Sequence, residues 1–446
     1  MKHNSRVVAG AIIIAAAAVV ITLTVLLWPP IQVQVVGGRL ELVAFTDRGA
    51  TTAPGATTSP EFVPSTTASP GALSSPSPSS PTPVVQDGTD TVATPTLELT
   101  PGNEPARYPA IGPSNAEVLS PVLTLNADQP TDLAFSPQGN MLVIAQRDGS
   151  VSIWPTYALR DEHPERHFAG MFPLRIPVHE QWIYQVAFSP DGDTLATASL
   201  DGTVKLLDVS RVLDVQGNDA LLNPGPQLIL TLQGEGGEVS GVAYSPDGAT
   251  IATGSEDGAL RLWNASTGAL LRKIEAHTSR IWGVVYSSYG ENLATASADK
   301  TVKIWDADSG RLVHVLRGHT STVWKVAYSP DGTTLASSSW DGTVRLWHPF
   351  FGDELAVLQG NSGWVYGIEF SPDGWLLAAS TSEAATNIWD VQEALELRQE
   401  SLTLGARLNV LAMHTARVWD VAFSPNGQML ATASDDGTVI LWAQRP

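Results

Sequence analysis

The chain has no cysteine. That excludes disulfides, thiolate metal sites, a cysteine nucleophile and cysteine-linked lipid anchors. Positive charge is also scarce: 25 lysines and arginines stand against 45 aspartates and glutamates, a formal net charge of −20 over 446 residues. A nucleic-acid binder needs a basic face to neutralise phosphates, so no nucleic-acid partner is expected. Charged residues of both signs make up only 16% of the chain, too few for a disordered polyelectrolyte. The recurrent histidines stand whole repeats apart, so the sequence implies no metal site and no cofactor. Tryptophan, in contrast, is abundant, with fourteen copies.

Residues 7–28, VVAGAIIIAAAAVVITLTVLLW, carry no charge. As a helix this run spans about 33 Å, matching a hydrocarbon core of about 30 Å. Lys2 and Arg6 precede it, which places a short tail, 1–6, in the cytoplasm and the rest of the chain outside. The competing reading is a cleaved signal peptide. Such peptides have a shorter apolar core ending in small residues, whereas this run ends in Trp28-Pro29-Pro30. A single-pass membrane anchor is therefore the expectation. Residues 29–49 hold two alternating runs around Gly37-Gly38, the signal of a short hairpin. Residues 50–117 are rich in Ser, Thr, Pro and Ala. That composition buries too little apolar surface to offset chain entropy, so a disordered linker is expected there.

The remainder is a repeat array. A turn signature begins at Ser136, Ser189, Ser245, Ser287, Ser329, Ser371 and Ser424, usually as SPDG. Twelve residues later stand Asp148, Asp201, Asp257, Asp299, Asp341, Glu383 and Asp436; eighteen residues later stand Trp154, Leu207, Trp263, Trp305, Trp347, Trp389 and Trp442. Ten residues before each serine stand Asn126, His179, Glu235, His277, His319, Asn361 and His414. Within one repeat, VWKVAYS alternates, SPDG turns, TLASSS is a short apolar run and WDGT turns into VRLWH. A fourth run, such as RLVHVLRG at 311–318, completes four strands per repeat.

These repeats resemble the WD-repeat β-propeller family, on the pairs Trp305-Asp306, Trp389-Asp390 and Gly318-His319. The resemblance covers 118–446 and implies an all-β fold, a seven-bladed propeller of four-stranded antiparallel blades around a channel. Here it would be a membrane-anchored form, with a monomeric propeller. The last repeat stops at LWAQRP without a fourth strand, and VLSPVLTL at 118–125 reads as an orphan. In the family an N-terminal strand of this kind closes the last blade, so 118–125 is expected beside 438–443, which removes exposed sheet edges. Longer connections, 155–178, 208–227 and 390–407, are the expected places for protruding loops.

Three repeats carry a full polar set: His277, Ser297, Asp299 and Trp305; His319, Ser339, Asp341 and Trp347; His414, Ser434, Asp436 and Trp442. A Ser–His–Asp hydrolase is one reading. The other, implied by the resemblance, is a structural tetrad stitching each blade. An enzyme needs one triad rather than three, and no G-x-S-x-G elbow is present. No catalytic residue and no enzymatic activity are expected.

Six tryptophans end repeats, and six more call for another role. Five residues after the histidine position stand Tyr184, Trp282, Trp324, Tyr366 and Trp419; two residues earlier stand Trp182, Arg280, Trp364 and Arg417; Trp340 precedes a turn aspartate. The resemblance places all ten on the top face at the channel mouth. Two readings compete: a plug filling the mouth, or a binding surface, since Trp, Tyr and Arg dominate interface hot spots. A non-enzymatic scaffold that binds a protein or peptide through this face is the leading expectation. A carbohydrate- or cell-wall-binding propeller is the alternative, because rings also stack on sugars. An acidic rim around the rings would favour a cationic ligand through cation–π contact.

Overall fold

A computed structural model of the chain describes residues 108–156, 173–212, 225–234, 236–361, 363–397 and 406–445, and the backbone of 31–36 and 39–44. The expected anchor at 7–28 and most of the expected linker lie outside these residues, as do the central parts of the three long connections. Among the described residues no helix is long and apolar enough to cross a membrane. The chain divides into two units, Met1–Leu97 and Glu98–Pro446. In the first, Ile31–Val36 pairs antiparallel with Arg39–Ala44, with Val36 opposite Arg39 across the two glycines.

The second unit is a ring of seven four-stranded antiparallel sheets. Blade 5 shows the plan: Val323–Tyr328 is innermost, followed outward by Leu335–Ser339, Val344–Trp347 and Glu354–Leu358. The innermost strand of blade 7, Val418–Phe423, packs against that of blade 1, Pro130–Phe135, and this contact closes the ring. Residue size follows radius. Second strands such as LASSS and LATAS are buried throughout and rich in Ala, Ser and Thr, because blades crowd both faces near the axis; blade 1 departs from this with MLVIAQ, equally buried. Outer strands such as LVHVLR are largely exposed.

The blade cores lie between sheets. Trp305 packs with Ile281, Val284 and Leu293 of its own blade and with Ala252, Leu260 and Leu262 of the preceding one. Trp389 bridges blades 5 and 6 in the same way, fully buried among Leu346, Leu358 and Val365. Each repeat-ending indole is thus a wedge between neighbours, which explains its regular spacing.

The SPDG turn has two jobs. Ser329 Oγ donates to Asp331 Oδ1 at 2.6 Å and accepts from the Thr334 N–H at 2.9 Å. Gly332 takes φ +71°, a conformation that disfavours any side chain. Pro330 of that turn lies over the turn glycine of the next blade: a Cβ on Gly374 would stand 3.5 Å from its ring. Pro190 over Gly248, Pro246 over Gly290, Pro372 over Gly427 and Pro425 over Gly139 repeat the contact around the lower face.

At the seam, Ser120–Asn126 pairs antiparallel with Thr438–Ala443 as the outer strand of blade 7, with Leu125 opposite Val439. Residues 108–117, part of the Pro-rich linker by composition, are packed instead. Tyr108, Ile111 and Ala116 are buried, and the Ile111 N–H donates to Gly427 O at 2.7 Å. A few apolar residues in a polar stretch suffice for docking, and a window average hides them. Within blade 6, between the third strand Thr386–Asp390 and the outer strand Arg407–Leu411, the chain forms a short helix, Val391–Glu396, whose first turn is capped by Asp390 accepting from Glu393 N.

Candidate functional site

The buried polar sets are architecture, with one correction to their membership. His277 Nδ1 stands 2.8 Å from Asp299 Oδ2, while its Nε2 stands 2.7 Å from Thr295 Oγ1. The Trp305 indole N–H donates to that same hydroxyl at 2.9 Å. In blade 5, Ser337 holds His319 and Trp347 alike; in blade 7, Thr432 holds His414 and Trp442. The hydroxyl of the chain is therefore two residues before the expected Ser297, Ser339 and Ser434. Those three serines serve the turn. They accept from the N–H of Asp299, Asp341 and Asp436 and donate to Ser279 O, Ser321 O and Ala416 O. Residues two apart on a strand share a face, so residue type alone cannot separate the two positions. The imidazole reaches inward to the hydroxyl that the indole also meets.

Thr295 and Ser337 are fully buried, which leaves no approach for a substrate. Burial opposes ionisation of Asp299, but the bonds from His277 and Thr301 outweigh it and hold the carboxyl below its usual range. Burial also holds the His277 imidazole below its ordinary value. The imidazole is thus neutral and fixed by partners on both nitrogens.

The other blades improvise. Blade 2 keeps His179, Asp201 and Thr197 but has Leu207 in place of the indole. In blade 3 Arg261 takes the imidazole's place, bonding Asp257 and Ser255, while Trp263 meets Thr253; Glu235 lies outside the described residues. In blade 1 Gln146 accepts from Ser150 and Ser152. In blade 6 Asn387 donates to Asn361, and the Trp389 N–H finds no partner among the described residues.

Nine of the ten expected top-face residues line one cavity of about 450 Å³; the tenth, Arg280, lies over the Trp282 ring. Its wall is a near-continuous belt. Trp182 meets Tyr184 (6.4 Å between centroids), Tyr184 meets Trp282 (5.8 Å), and Trp282 stacks on Trp324 (4.2 Å). Trp324 meets Tyr366 (5.3 Å), Tyr366 meets Trp419 (4.8 Å), and Arg147 lies over both Trp419 and Trp182, which closes the belt. A second arc continues the stack outward, Trp324 on Trp340 (5.6 Å) and Trp340 on Trp364 (4.9 Å). Trp182 and Trp364 stand exposed at the lip, 37% and 46%.

The rim is not acidic. Arg280 pairs with Glu238 and Glu256 and lies 4.7 Å over Trp282; Arg147 pairs with Asp435; Arg417 lies 4.7 Å over Trp419 and 3.9 Å from Asp435. Three guanidiniums thus meet three carboxylates, two on Arg280 and one shared by Arg147 and Arg417.

The floor was not anticipated. Lys325 Nζ spans the channel to Asp420 at 2.5 Å and Asp132 at 3.2 Å, joining blade 5 to blades 7 and 1. Asp132 also accepts from the Val186 N–H at 2.9 Å, and Gln185 accepts from Val242 N at 3.0 Å. Below this waist lies a second cavity of about 460 Å³, with Glu369 on its wall. Burial pushes the Glu369 carboxyl up to about 8, against the bond from Phe423 N. Burial likewise raises Asp132 well above its ordinary value, against the pull of Lys325. The signal was available in the register. Six residues after the histidine position stand Asp132, Gln185, Lys325 and Asp420 in four repeats and Gly241, Gly283 and Gly367 in three. A Cβ on Gly367 would stand 2.3 Å from Asp420 Oδ1, so that glycine makes room for the ion cluster. Among the described residues no three His, Asp or Glu side chains converge as metal ligands.

Comparison with known proteins agrees with the repeat architecture. Six segments, 119–155, 172–208, 226–264, 268–306, 310–348 and 405–443, match the model of the family WD40, "WD domain, G-beta repeat". Together they take in just over half of the chain. The unmatched seventh repeat is blade 6, where Asn361 and Glu383 replace His and Asp. A guanine nucleotide-binding protein subunit beta-2 from Nicotiana tabacum is 28% identical over 137 residues, 30% of this chain and 32% of that protein. A guanine nucleotide-binding protein subunit beta from Zea mays is 30% identical over 137 residues, 30% of this chain and 31% of that protein. The chain spans about a third of the length of the curated relatives it matches. On the repeats that recur around the whole ring, the chain belongs to the WD40 family.

Proposed function

We propose that the protein is a non-enzymatic scaffold that binds a protein or peptide partner in the upper cavity, with Trp182, Trp324, Trp340 and Trp364 as principal contacts. One observation carries this reading: the rings line an open cavity of about 450 Å³ instead of filling it. A plug would bury Trp364 and Trp182, which stand exposed. Large, rigid aromatic side chains beside arginines supply contact area at low entropic cost. The G-protein beta subunits that the chain resembles favour a binding role over catalysis. The uncharged run at 7–28, preceded by Lys2 and Arg6, supports a single-pass anchor with the propeller held outside the cytoplasm.

Site-specific photo-crosslinking tests the binding face. A crosslinker in place of Trp364, in the full-length protein in cells, should give discrete protein adducts. The same group in place of Tyr289, exposed on the lower face, should not. Adducts from Tyr289 alone would overturn the top-face reading. Protease added to intact cells should degrade the propeller; full protection would overturn the topology.

A further inference from the structure

Two properties of the upper cavity narrow what it accepts. The first is charge. A cationic ligand would seek the ring faces, but Arg147, Arg280 and Arg417 already lie over Trp182, Trp282 and Trp419. Arg280 has Glu238 and Glu256 beside it, while Arg147 and Arg417 share Asp435. The charges that line the cavity balance in number, Arg147, Lys325 and Arg417 against Asp132, Asp420 and Asp435, so the complementary ligand is uncharged.

The second is hydrogen-bond polarity. Trp282 Nε1, Trp340 Nε1, Arg417 Nε and Tyr366 Oη are buried without a partner among the described residues. The indoles and the guanidinium only donate. The acceptors are already engaged. Asp435 accepts from Arg147 and Trp419, Glu238 from Arg280 and Tyr184, and Asp132 and Asp420 hold Lys325. The Tyr366 hydroxyl can also accept; the rest of the lining has spare donors and committed acceptors. A sugar brings several hydroxyls that each need an acceptor as well as a donor, and here all but one of their protons would go unpaired. A proline-rich segment differs. Each proline lacks an N–H but keeps its carbonyl, and the polyproline helix is extended, with its backbone groups free.

We propose that the upper cavity takes an uncharged, proline-rich segment of a partner protein in the polyproline conformation. Its rings pack against Trp182 and Trp364, which stand exposed at the lip, and its carbonyls accept from the Trp282 and Trp340 indoles after those rings rotate toward the cavity. Aromatic-lined grooves accept such segments because little chain entropy is lost on docking. This rests on the top face being the binding surface, and it adds the class of ligand.

The full-length protein in detergent is titrated, by tryptophan fluorescence and calorimetry, with three probes. They are a neutral ten-residue peptide of prolines and serines, the same peptide with two lysines, and a neutral hexose oligosaccharide. The neutral peptide should bind saturably. The lysine peptide and the sugar should bind at least about tenfold more weakly. Trp340→Phe keeps a ring and removes the N–H; it should weaken the neutral peptide about tenfold with an unchanged melt. Tighter binding of the sugar or the lysine peptide would overturn the proposal, as would unchanged affinity in Trp340→Phe. Crosslinks from position 364 without proline-peptide binding would remove the ligand class and leave the binding face standing. Absence of both would remove both.

Discussion

Trp364 and Trp375 belong to one blade, are almost equally exposed at 46% and 50%, and stand at opposite ends of the innermost strand Val365–Phe370. Their surroundings differ. Trp364 is the outer member of a stack that runs through Trp340 and Trp324 to Trp282 at the channel mouth. Trp375 follows an SPDG turn, on a lower face made of proline–glycine contacts that repeat from blade to blade. The lower end is built from turn residues that most repeats share; the upper end joins aromatic residues that recur in five repeats to Trp182, Trp340, Trp364 and three arginines that most repeats lack. Exposure alone does not mark a site. A cluster of large side chains in mutual contact does.

The waist between the two ends offers the largest expected effect. Lys325→Met strands two buried carboxylates. Removing one partner of a buried ion pair costs about 3–5 kcal/mol, so the denaturant midpoint of the full-length protein should fall steeply. A loss below about 1 kcal/mol would mean that the waist does not tie blades 1, 5 and 7 together.

The corrected hydroxyl comes next. Thr295→Val leaves the His277 Nε2 and the Trp305 N–H unpaired, at about 1–3 kcal/mol. Ser297→Ala removes only turn bonds and should cost about 0.5–1.5 kcal/mol. Equal losses would put both hydroxyls in one network and undo the assignment.

Acidity separates the two ends in a smaller way. Glu369 faces only the lower cavity, and burial raises its carboxyl to about 8. Folded protein keeps this proton up to about pH 8, while unfolded chain releases it near its ordinary value. The group therefore favours folding at low pH, and that contribution is lost as pH rises between the two values. Unfolding midpoints of wild type and Glu369→Gln should diverge from pH 5 to pH 9, with the variant gaining. Parallel profiles would show that the carboxyl is not held neutral. The smallest effect belongs to Trp364→Ala, whose stability should stay within about 0.5 kcal/mol of wild type because the ring is half exposed.

Much of this was legible in the sequence, for physical reasons. Turn chemistry forces SPDG at a fixed offset, and wedge packing forces a large ring at the end of the third strand, so blades could be counted. The top-face residues were legible because aromatic residues recurred at one phase of an inner strand. Two things were hidden. Thr295 and Ser297 alternate onto the same face, so only the indole's reach separates them. Lys325 in VWKVAYS reads as the solvent-facing half of an alternating strand, yet in a closed ring that half faces the axis, where Asp132 and Asp420 come to meet it.

The most direct test is a paired capture experiment. Full-length protein carrying Trp364→Ala or Trp375→Ala is compared with wild type for recovery of the partner found by crosslinking, with melts measured in parallel. Recovery should fall at least tenfold for Trp364→Ala and stay unchanged for Trp375→Ala, with both melts unmoved. Equal recovery from the two variants, or a loss confined to Trp375→Ala, would contradict a binding site at the upper end.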